Sequence, residues 1–222
     1  MGIALHKKKT SHSTLMTEGS IWKHILFFSI PLILGNMLQQ LYNTVDSIVV
    51  GNFLGSEALA AVGSSSSLIM LLISFSMGAA AGAGVIVSQF IGAQNKKGIH
   101  ESVHAALEIA LILGVVLTAA GLILSPQILR WMGTPEEVMP QSITYLRLYF
   151  AGVIFSILYN MASGIFNAVG NSKRALLYLA IASFTNIILD LLFIPVLKMG
   201  IAGAAIATDI SQLLSAVLCM LY

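Results

Sequence analysis

The chain has 222 residues, of which 57% are hydrophobic and only 9% are charged, with a formal net charge of +2 and a mean hydropathy of +0.91. Soluble domains carry about 25% charged residues, so this chain has too few charges to cover a water-facing surface. The composition predicts a membrane protein. The small positive charge comes from a few basic positions between apolar segments and gives no indication of a nucleic-acid partner.

Six apolar segments follow one another, each long enough to cross a bilayer as a helix of about 20 residues. They run approximately over 22–50, 58–90, 103–124, 143–169, 175–197 and 201–222. The predicted fold is therefore all-α, a polytopic membrane protein built as a bundle of six transmembrane helices. We assign residues 1–20 to a cytoplasmic N-terminal tail and residues 21–222 to the six-helix lobe. Because the last segment is still apolar at Tyr222, we expect the sequence to be truncated at its C-terminus.

Lysine and arginine are unevenly distributed between the two ends of the predicted helices. Eight lie on the side of the N-terminus: Lys7, Lys8, Lys9, Lys23, Lys96, Lys97, Lys173 and Arg174. Three lie on the other side: Arg130, Arg147 and Lys198. Cytoplasmic segments carry the excess of basic residues. The bias predicts a multi-pass protein of the inner (plasma) membrane with a cytoplasmic N-terminus.

Several classes of site have no support in the sequence. Cys219 is the single cysteine, which excludes a disulfide framework and a cysteine-based zinc site. The histidines are not paired with carboxylates at a metal-ligand spacing, and no phosphate-binding loop or nucleophile elbow is present. An intramembrane enzyme would need a nucleophile with a base, or a metal set. We therefore predict no enzymatic activity and no cofactor, so that any transport must use an ion gradient.

Asp46 and Asp190 are carboxylates inside lipid-length apolar segments, and each has a polar residue four positions earlier. Tyr42 precedes Asp46, and Asn186 precedes Asp190. A charge at membrane depth costs at least about 2.5 kcal/mol, and such residues usually face a bundle interior or a watery cavity where protons, ions or charged substrates move. The alternative for Asp190 is an interfacial carboxylate at a helix end. We predict that the two carboxylates share one polar pocket with Tyr42 and Asn186.

The first segment carries a polar stripe. Asn36, Gln39, Asn43 and Asp46 recur at steps of three and four and so share one helical face. Amides between membrane helices can be packing devices, each worth roughly 0.6 kcal/mol, and this explanation remains open for Asn36 and Gln39. It explains Asp46 poorly, because a neutral amide would do the same at lower cost. We expect the stripe to line a cavity.

Two further residues stand out within the segments. Pro31 has apolar, helix-forming sequence on both sides, and a proline inside a helix removes a backbone hydrogen bond and bends the helix. The alternative is a helix-start proline. Asp209 lies among alanines in the sixth segment, and the sequence suggests no partner for it.

Three stretches of the chain together resemble the multidrug and toxic compound extrusion (MATE) family. They are IPLILGNMLQQLYNTVDSIVVGNFLG within residues 17–55, FNAVGNSKRALLYLAIASFTNIILDLLFI at 166–194 and GIAGAAIATDISQ at 200–212. Members of this family have twelve helices in two lobes of six that face each other across a central cavity. The resemblance implies that this chain is the N-terminal lobe of such a transporter.

The resemblance also implies roles for particular residues. Asp46, Tyr42, Asn186 and Asp190 fall on the cation or proton site of the family, and Pro31 falls on the proline whose bending is proposed to follow protonation. A fourth-helix asparagine is expected nearby, for which Asn160 is the candidate, with Ser163 or Asn167 as alternatives. Asp209 departs from the family pattern, in which that position is usually apolar.

The function implied is an antiporter that couples entry of H⁺ or Na⁺ to export of cationic amphipathic drugs or toxic compounds. Na⁺ is a rival to the proton because carboxylate, amide and hydroxyl oxygens are also ligands for hard cations. The implied partners are the drug, the lipid bilayer and the missing C-terminal lobe. Two alternatives remain: a lipid-linked oligosaccharide flippase of the same superfamily, for which a more basic cavity is expected, and a non-transporting membrane fragment or assembly partner.

Overall fold

The computed structural model describes residues 21–222, except for the side chains at positions 21, 23–25, 27 and 28. Over this range the chain is a bundle of six helices without strands. They are α1 (Ile21–Leu54), α2 (Ser56–Gly92), α3 (Lys96–Trp131), α4 (Met139–Ala168), α5 (Ser172–Phe193) and α6 (Ile201–Met220). The predicted all-α bundle is confirmed. The predicted N-terminal tail, 1–20, lies outside the described residues.

Five of these helices, α2 to α6, are long and apolar enough to cross a membrane, so the chain is a multi-pass membrane protein. The 34-residue α1 is not among the five, although the sequence predicts a span there. Several side chains at the start of α1 lie outside the described residues, and the polar stripe places amides and a carboxylate along one face of the rest of the helix. We treat α1 as the sixth span, with this face turned to the bundle interior rather than to lipid.

The fourth helix is the centre of the bundle. It packs against α2, α3, α5 and α6, while α1 packs mainly against α5 and α2. Buried side chains form three apolar clusters around α4, represented by Tyr145, Leu146 and Tyr159. Large apolar side chains elsewhere point outward, as expected for a surface in contact with lipid.

Small residues let α2 and α4 approach closely. A Cβ added at Gly164 would lie 2.6 Å from the carbonyl oxygen of Ala80, and one added at Gly84 would lie 3.1 Å from the carbonyl oxygen of Gly164. Membrane helices commonly use glycine at such contacts because the absence of a side chain brings the backbones together. This contact fixes the position of α2, which forms one wall of the site described below.

Two of the helices, α1 and α3, contain an internal proline. Pro126 of α3 has no N–H to donate to the carbonyl oxygen of Leu122, four residues earlier. Arg147 on α4 supplies the missing donor, with its Nε 3.1 Å from that oxygen. Pro31 lies buried inside α1, and the helix continues through it from Ile21 to Leu54.

Candidate functional site

An open cavity of about 440 Å³ lies between α1, α2 and α4, with one residue of α6 at its edge. The polar stripe of α1 forms one wall. The α1 residues that line the cavity are Asn36, Gln39, Gln40, Tyr42, Asn43, Asp46 and Ser47. Their 3–4 spacing places most of them on one face of the helix, and this face borders the open cavity, where Asn36, Gln40 and Asn43 are exposed.

The charge in this cavity comes from Asp46. Among the lining residues that the structure describes, Asp46 carries the ionisable carboxylate and no lysine or arginine is present. Its side chain is 8% exposed, and its Oδ1 atom is buried without a hydrogen-bond partner among residues 21–222. One turn earlier, the Tyr42 hydroxyl lies close to the side-chain amides of Gln39 and of Gln212 on α6. Asp46 therefore borders the cavity and has a buried carboxylate oxygen without a hydrogen-bond partner.

The second carboxylate, Asp190, lies behind the cavity wall rather than in it. It is fully buried near the end of α5, and both of its carboxylate oxygens lack a hydrogen-bond partner within the described part of the chain. Asp190 is nevertheless close enough to Asp46 for their charges to interact. Tyr145 on α4 interacts electrostatically with both carboxylates. The predicted pair is thus brought together, but in two layers, since Asp190 does not line the cavity.

A second, much smaller cavity of about 10 Å³ continues the polar site between α5 and α6. Tyr42 and Thr208 border both cavities. Asn186, which is 2% exposed, also borders the small cavity and donates from Nδ2 to Thr208 Oγ1 at 3.4 Å. The Oδ1 atom of Asn186 and the Oε1 atom of Gln212 are buried and lack a partner among the described residues. Tyr42 and Thr208 thus connect the cavity to the deeper polar groups.

The remaining wall of the large cavity is apolar and aromatic. On α2 it includes Ile69, Met70, Ile73 and Met77, with Ser66 and Ser74 between them. On α4 it includes the buried rings of Tyr145 and Tyr149, whose centroids are 6.5 Å apart. Sequence reasoning missed both tyrosines and Thr208. The i, i+4 spacing of Tyr145 and Tyr149, and of Thr208 and Gln212, was an available signal, although such pairs also occur in apolar cores.

Other predicted residues lie away from this cavity. Asn160 is half-buried on α4 and donates from Nδ2 to the carbonyl oxygen of Ser156 at 2.8 Å, within its own helix. It lines neither cavity, nor do its alternatives Ser163 and Asn167. Asp209 lies at the contact of α6 with α4 and also lines neither cavity.

The side chains that the structure describes contain no cluster of three or more His, Cys, Asp or Glu that could hold a metal ion. The buried oxygens that lack a hydrogen-bond partner in the described part of the chain include Asp46 Oδ1, both carboxylate oxygens of Asp190 and Asn186 Oδ1. Oxygen donors of these kinds suit hard cations. The same carboxylates also suit a proton, and the geometry is compatible with either ion.

Comparison with known proteins identifies the family. The family model named MatE matches residues 31–192, which is most of the chain. The match begins at Pro31 in α1 and ends near the end of α5. The chain belongs to the MatE family. This MatE chain is 39% identical over 196 residues to the probable multidrug resistance protein YpnP of Bacillus subtilis (strain 168), a match that covers 88% of this chain and 44% of that protein.

Solved MATE structures have the same fold over one lobe. A crystal structure of MATE in the bent conformation superposes with a TM-score of 0.89 at 34% identity, covering 95% of this chain and 47% of that one. A crystal structure of MATE in the straight conformation gives 0.87 at 34% identity, with the same shares. The MatE chain described here spans about half the length of the relatives it matches, and its six helices correspond to one lobe.

Proposed function

We propose that this chain forms the cation-binding lobe of an antiporter that exports cationic amphipathic compounds in exchange for H⁺ or Na⁺. The observation that carries the proposal is the position of Asp46, an unpartnered carboxylate in an open cavity whose described lining holds no compensating basic residue. Membership in a family that includes a probable multidrug resistance protein supports the substrate class.

The cavity wall suits an amphipathic cation. Its positive charge would face Asp46, and its apolar body would lie against the methionines and isoleucines of α2. Methionine side chains are flexible and polarizable, so they adapt to different ligands. The rings of Tyr145 and Tyr149 add aromatic surfaces that attract cations. An acidic cavity favours this substrate class over the phosphate-bearing lipids of a flippase, which would need basic side chains.

Coupling would use both carboxylates. Two interacting carboxylates this deep in a bundle cannot both ionise freely, because each charge disfavours the other. A proton or sodium ion bound near Asp46 and Asp190, with Tyr42 and Asn186 alongside, would remove part of this repulsion. It would also remove the negative charge that attracts the drug. The ion and the drug would then compete for the same negative charge, and such competition is what the exchange of one for the other requires.

Helix bending at Pro31 would link ion binding to the shape of the cavity. Pro31 leaves one carbonyl of α1 without its helical donor, and bends in helices commonly arise at such positions. It lies on the same helix as Asp46 and Tyr42, four turns before the carboxylate. The existence of bent and straight MATE structures supports a motion of this kind in the family.

The proposal includes a second lobe, because the relatives are about twice as long. The cavity described here is open, and we propose that the second lobe supplies its opposite wall. The non-transporting alternative predicts that a second lobe would add no activity.

The test is efflux of a fluorescent cationic compound from energised vesicles that contain the full-length transporter with this lobe. Asp46→Asn keeps the size of the side chain but removes its charge and its titratable proton. We expect efflux to fall to the level of empty vesicles. Glu108→Gln is the matched control, because Glu108 is an exposed carboxylate on α3 away from both cavities. Efflux by Asp46→Asn at the wild-type rate and equal expression would reject the proposal.

A further inference from the structure

Asp209 occupies a niche that depends on a glycine. Its carboxyl group lies against Gly152 of α4, so closely that a Cβ added at Gly152 would overlap it. Asp209 is half-buried in the middle of α6, and Gly152 is buried. The contact belongs to the packing of α4 against α6, which is among the extensive helix contacts of the bundle. An ionisable group therefore fills a position in a helix–helix interface.

The surroundings of this carboxyl group provide no counter-charge. Among the side chains that the structure describes, the ion pair joins Lys97 to Glu101, and no hydrogen bond or ion pair involves the Asp209 carboxyl group. On α4 the titratable group that faces it is Tyr149, which interacts with it electrostatically. From α5 and α1, Asp190 and Asp46 interact with each other, and no charged group of those helices interacts with Asp209.

A carboxylate in such a place is unfavourable, whereas a carboxylic acid is tolerated. Burying a charge without a partner costs much more than burying a neutral polar group, and the group neutralises instead. Neither oxygen of Asp209 is among the fully buried atoms that lack a partner. Part of the carboxyl group thus lies at the surface of the six-helix bundle.

We propose that Asp209 is a second proton-binding site, separate from Asp46 and Asp190, and that it keeps its proton while α4 and α6 are packed together at Gly152. Loss of the proton to water would leave a carboxylate against Gly152 and would push the two helices apart there. Thr208, the neighbour of Asp209, and Tyr149, which faces it, both line the large cavity. Protonation of Asp209 would therefore control the shape of the cavity wall.

The first test is infrared spectroscopy of the purified 222-residue chain in lipid nanodiscs. Asp46, Asp190 and Asp209 are the aspartates of the sequence. In the double variant Asp46→Asn with Asp190→Asn, an isotope label on the carboxyl carbon of aspartate therefore reports on Asp209. We expect the C=O stretch of a protonated acid at neutral pH, and its loss on adding Asp209→Asn. A labelled band of the ionised carboxylate alone at neutral pH would overturn the proposal.

The second test uses the otherwise unmodified chain, in case the double variant does not fold. Gly152→Ala should lower the thermal midpoint of the wild-type chain, and it should do so much less when Asp209→Ala has removed the carboxyl group. The midpoint should fall with rising pH in the wild type more steeply than in Asp209→Asn. Equal effects of Gly152→Ala in both backgrounds, or equal pH slopes, would contradict the proposal. Both tests measure protonation and packing without transport, so their outcome does not depend on the proposed function.

Discussion

Asp46 and Asp190 interact electrostatically from neighbouring helices, yet Asp46 borders the open cavity and Asp190 is fully buried behind it. This arrangement in two layers separates a carboxylate that a large solute can approach from one that it cannot. Asp190 lines neither cavity, whereas Tyr42 and Thr208 border both.

The two layers predict a difference in chemical accessibility. In a background without Cys219, we expect Asp46→Cys to react quickly with a water-soluble thiol reagent and Asp190→Cys to remain at least tenfold slower. Asn43→Cys, which lines the same cavity, should react like Asp46→Cys and serves as the positive control. Mass spectrometry of the labelled chain measures the rates. Equal rates at positions 46 and 190 would show that both carboxylates face the cavity.

The basic residues predict the orientation of the lobe in the membrane. We expect cysteines placed at Lys97 and Lys173 to be labelled from the cytoplasmic side. Both positions are exposed, and they lie in the first turns of α3 and α5, which successive spans place at the same end of the bundle. An impermeant thiol reagent applied to intact cells and to inverted vesicles distinguishes the two sides. Labelling of the two positions from opposite sides would contradict this topology. Lys8, predicted to be on the same side, lies outside the described residues.

The close approach of α2 and α4 predicts an asymmetric effect of two glycine substitutions. Gly164→Ala should lower the free energy of unfolding by about 1–3 kcal/mol, because the new methyl group overlaps the carbonyl oxygen of Ala80 and forces the helices apart. Gly82→Ala is the matched control, since a Cβ there meets no atom within 4 Å. It should be neutral or stabilising by up to about 1 kcal/mol, through helix propensity alone. Thermal unfolding in one detergent compares the two, and a larger loss for Gly82→Ala would refute the contact.

The hydrogen bond from Arg147 to Leu122 should matter only because Pro126 leaves that carbonyl without its helical donor. We expect Arg147→Met to destabilise the chain by about 1 kcal/mol, the usual net value of such a bond. In a Pro126→Ala background the helix supplies its own N–H, and Arg147→Met should then cost measurably less. The double-mutant cycle isolates this coupling. Additive effects of the two substitutions would show that Arg147 does not compensate for the proline.

The sequence predicted the six helices and the α1 wall because both depend on local periodicity. The stripe from Asn36 to Asp46 shares one face in any α-helix. The helix ends were less accurate, since helices continue past the apolar stretch. For example, α3 begins at Lys96, where the Asn95 side chain accepts from the Gly98 N–H at 3.0 Å, whereas the apolar stretch begins near residue 103.

The other walls of the site depend on packing that one sequence does not encode locally. Tyr145, Tyr149 and Thr208 reach the cavity because α4 and α6 turn those faces toward α1. In the sequence they are indistinguishable from core residues. The separation of Asp190 from the cavity likewise follows from how α5 packs between α1 and α6. The contact of Asp209 with Gly152 depends on the packing of α6 against α4, which the sequence alone does not indicate.

The most direct test of the central claim, that ion coupling passes through Asp46, is the ion flux that accompanies drug movement. The full-length transporter with this lobe is reconstituted in proteoliposomes, and an imposed drug gradient is applied while internal H⁺ and Na⁺ are followed with separate indicators. We expect an opposing flux of one of these ions in the wild type and in Glu108→Gln, and none in Asp46→Asn. A drug-driven ion flux of wild-type size in Asp46→Asn would contradict it.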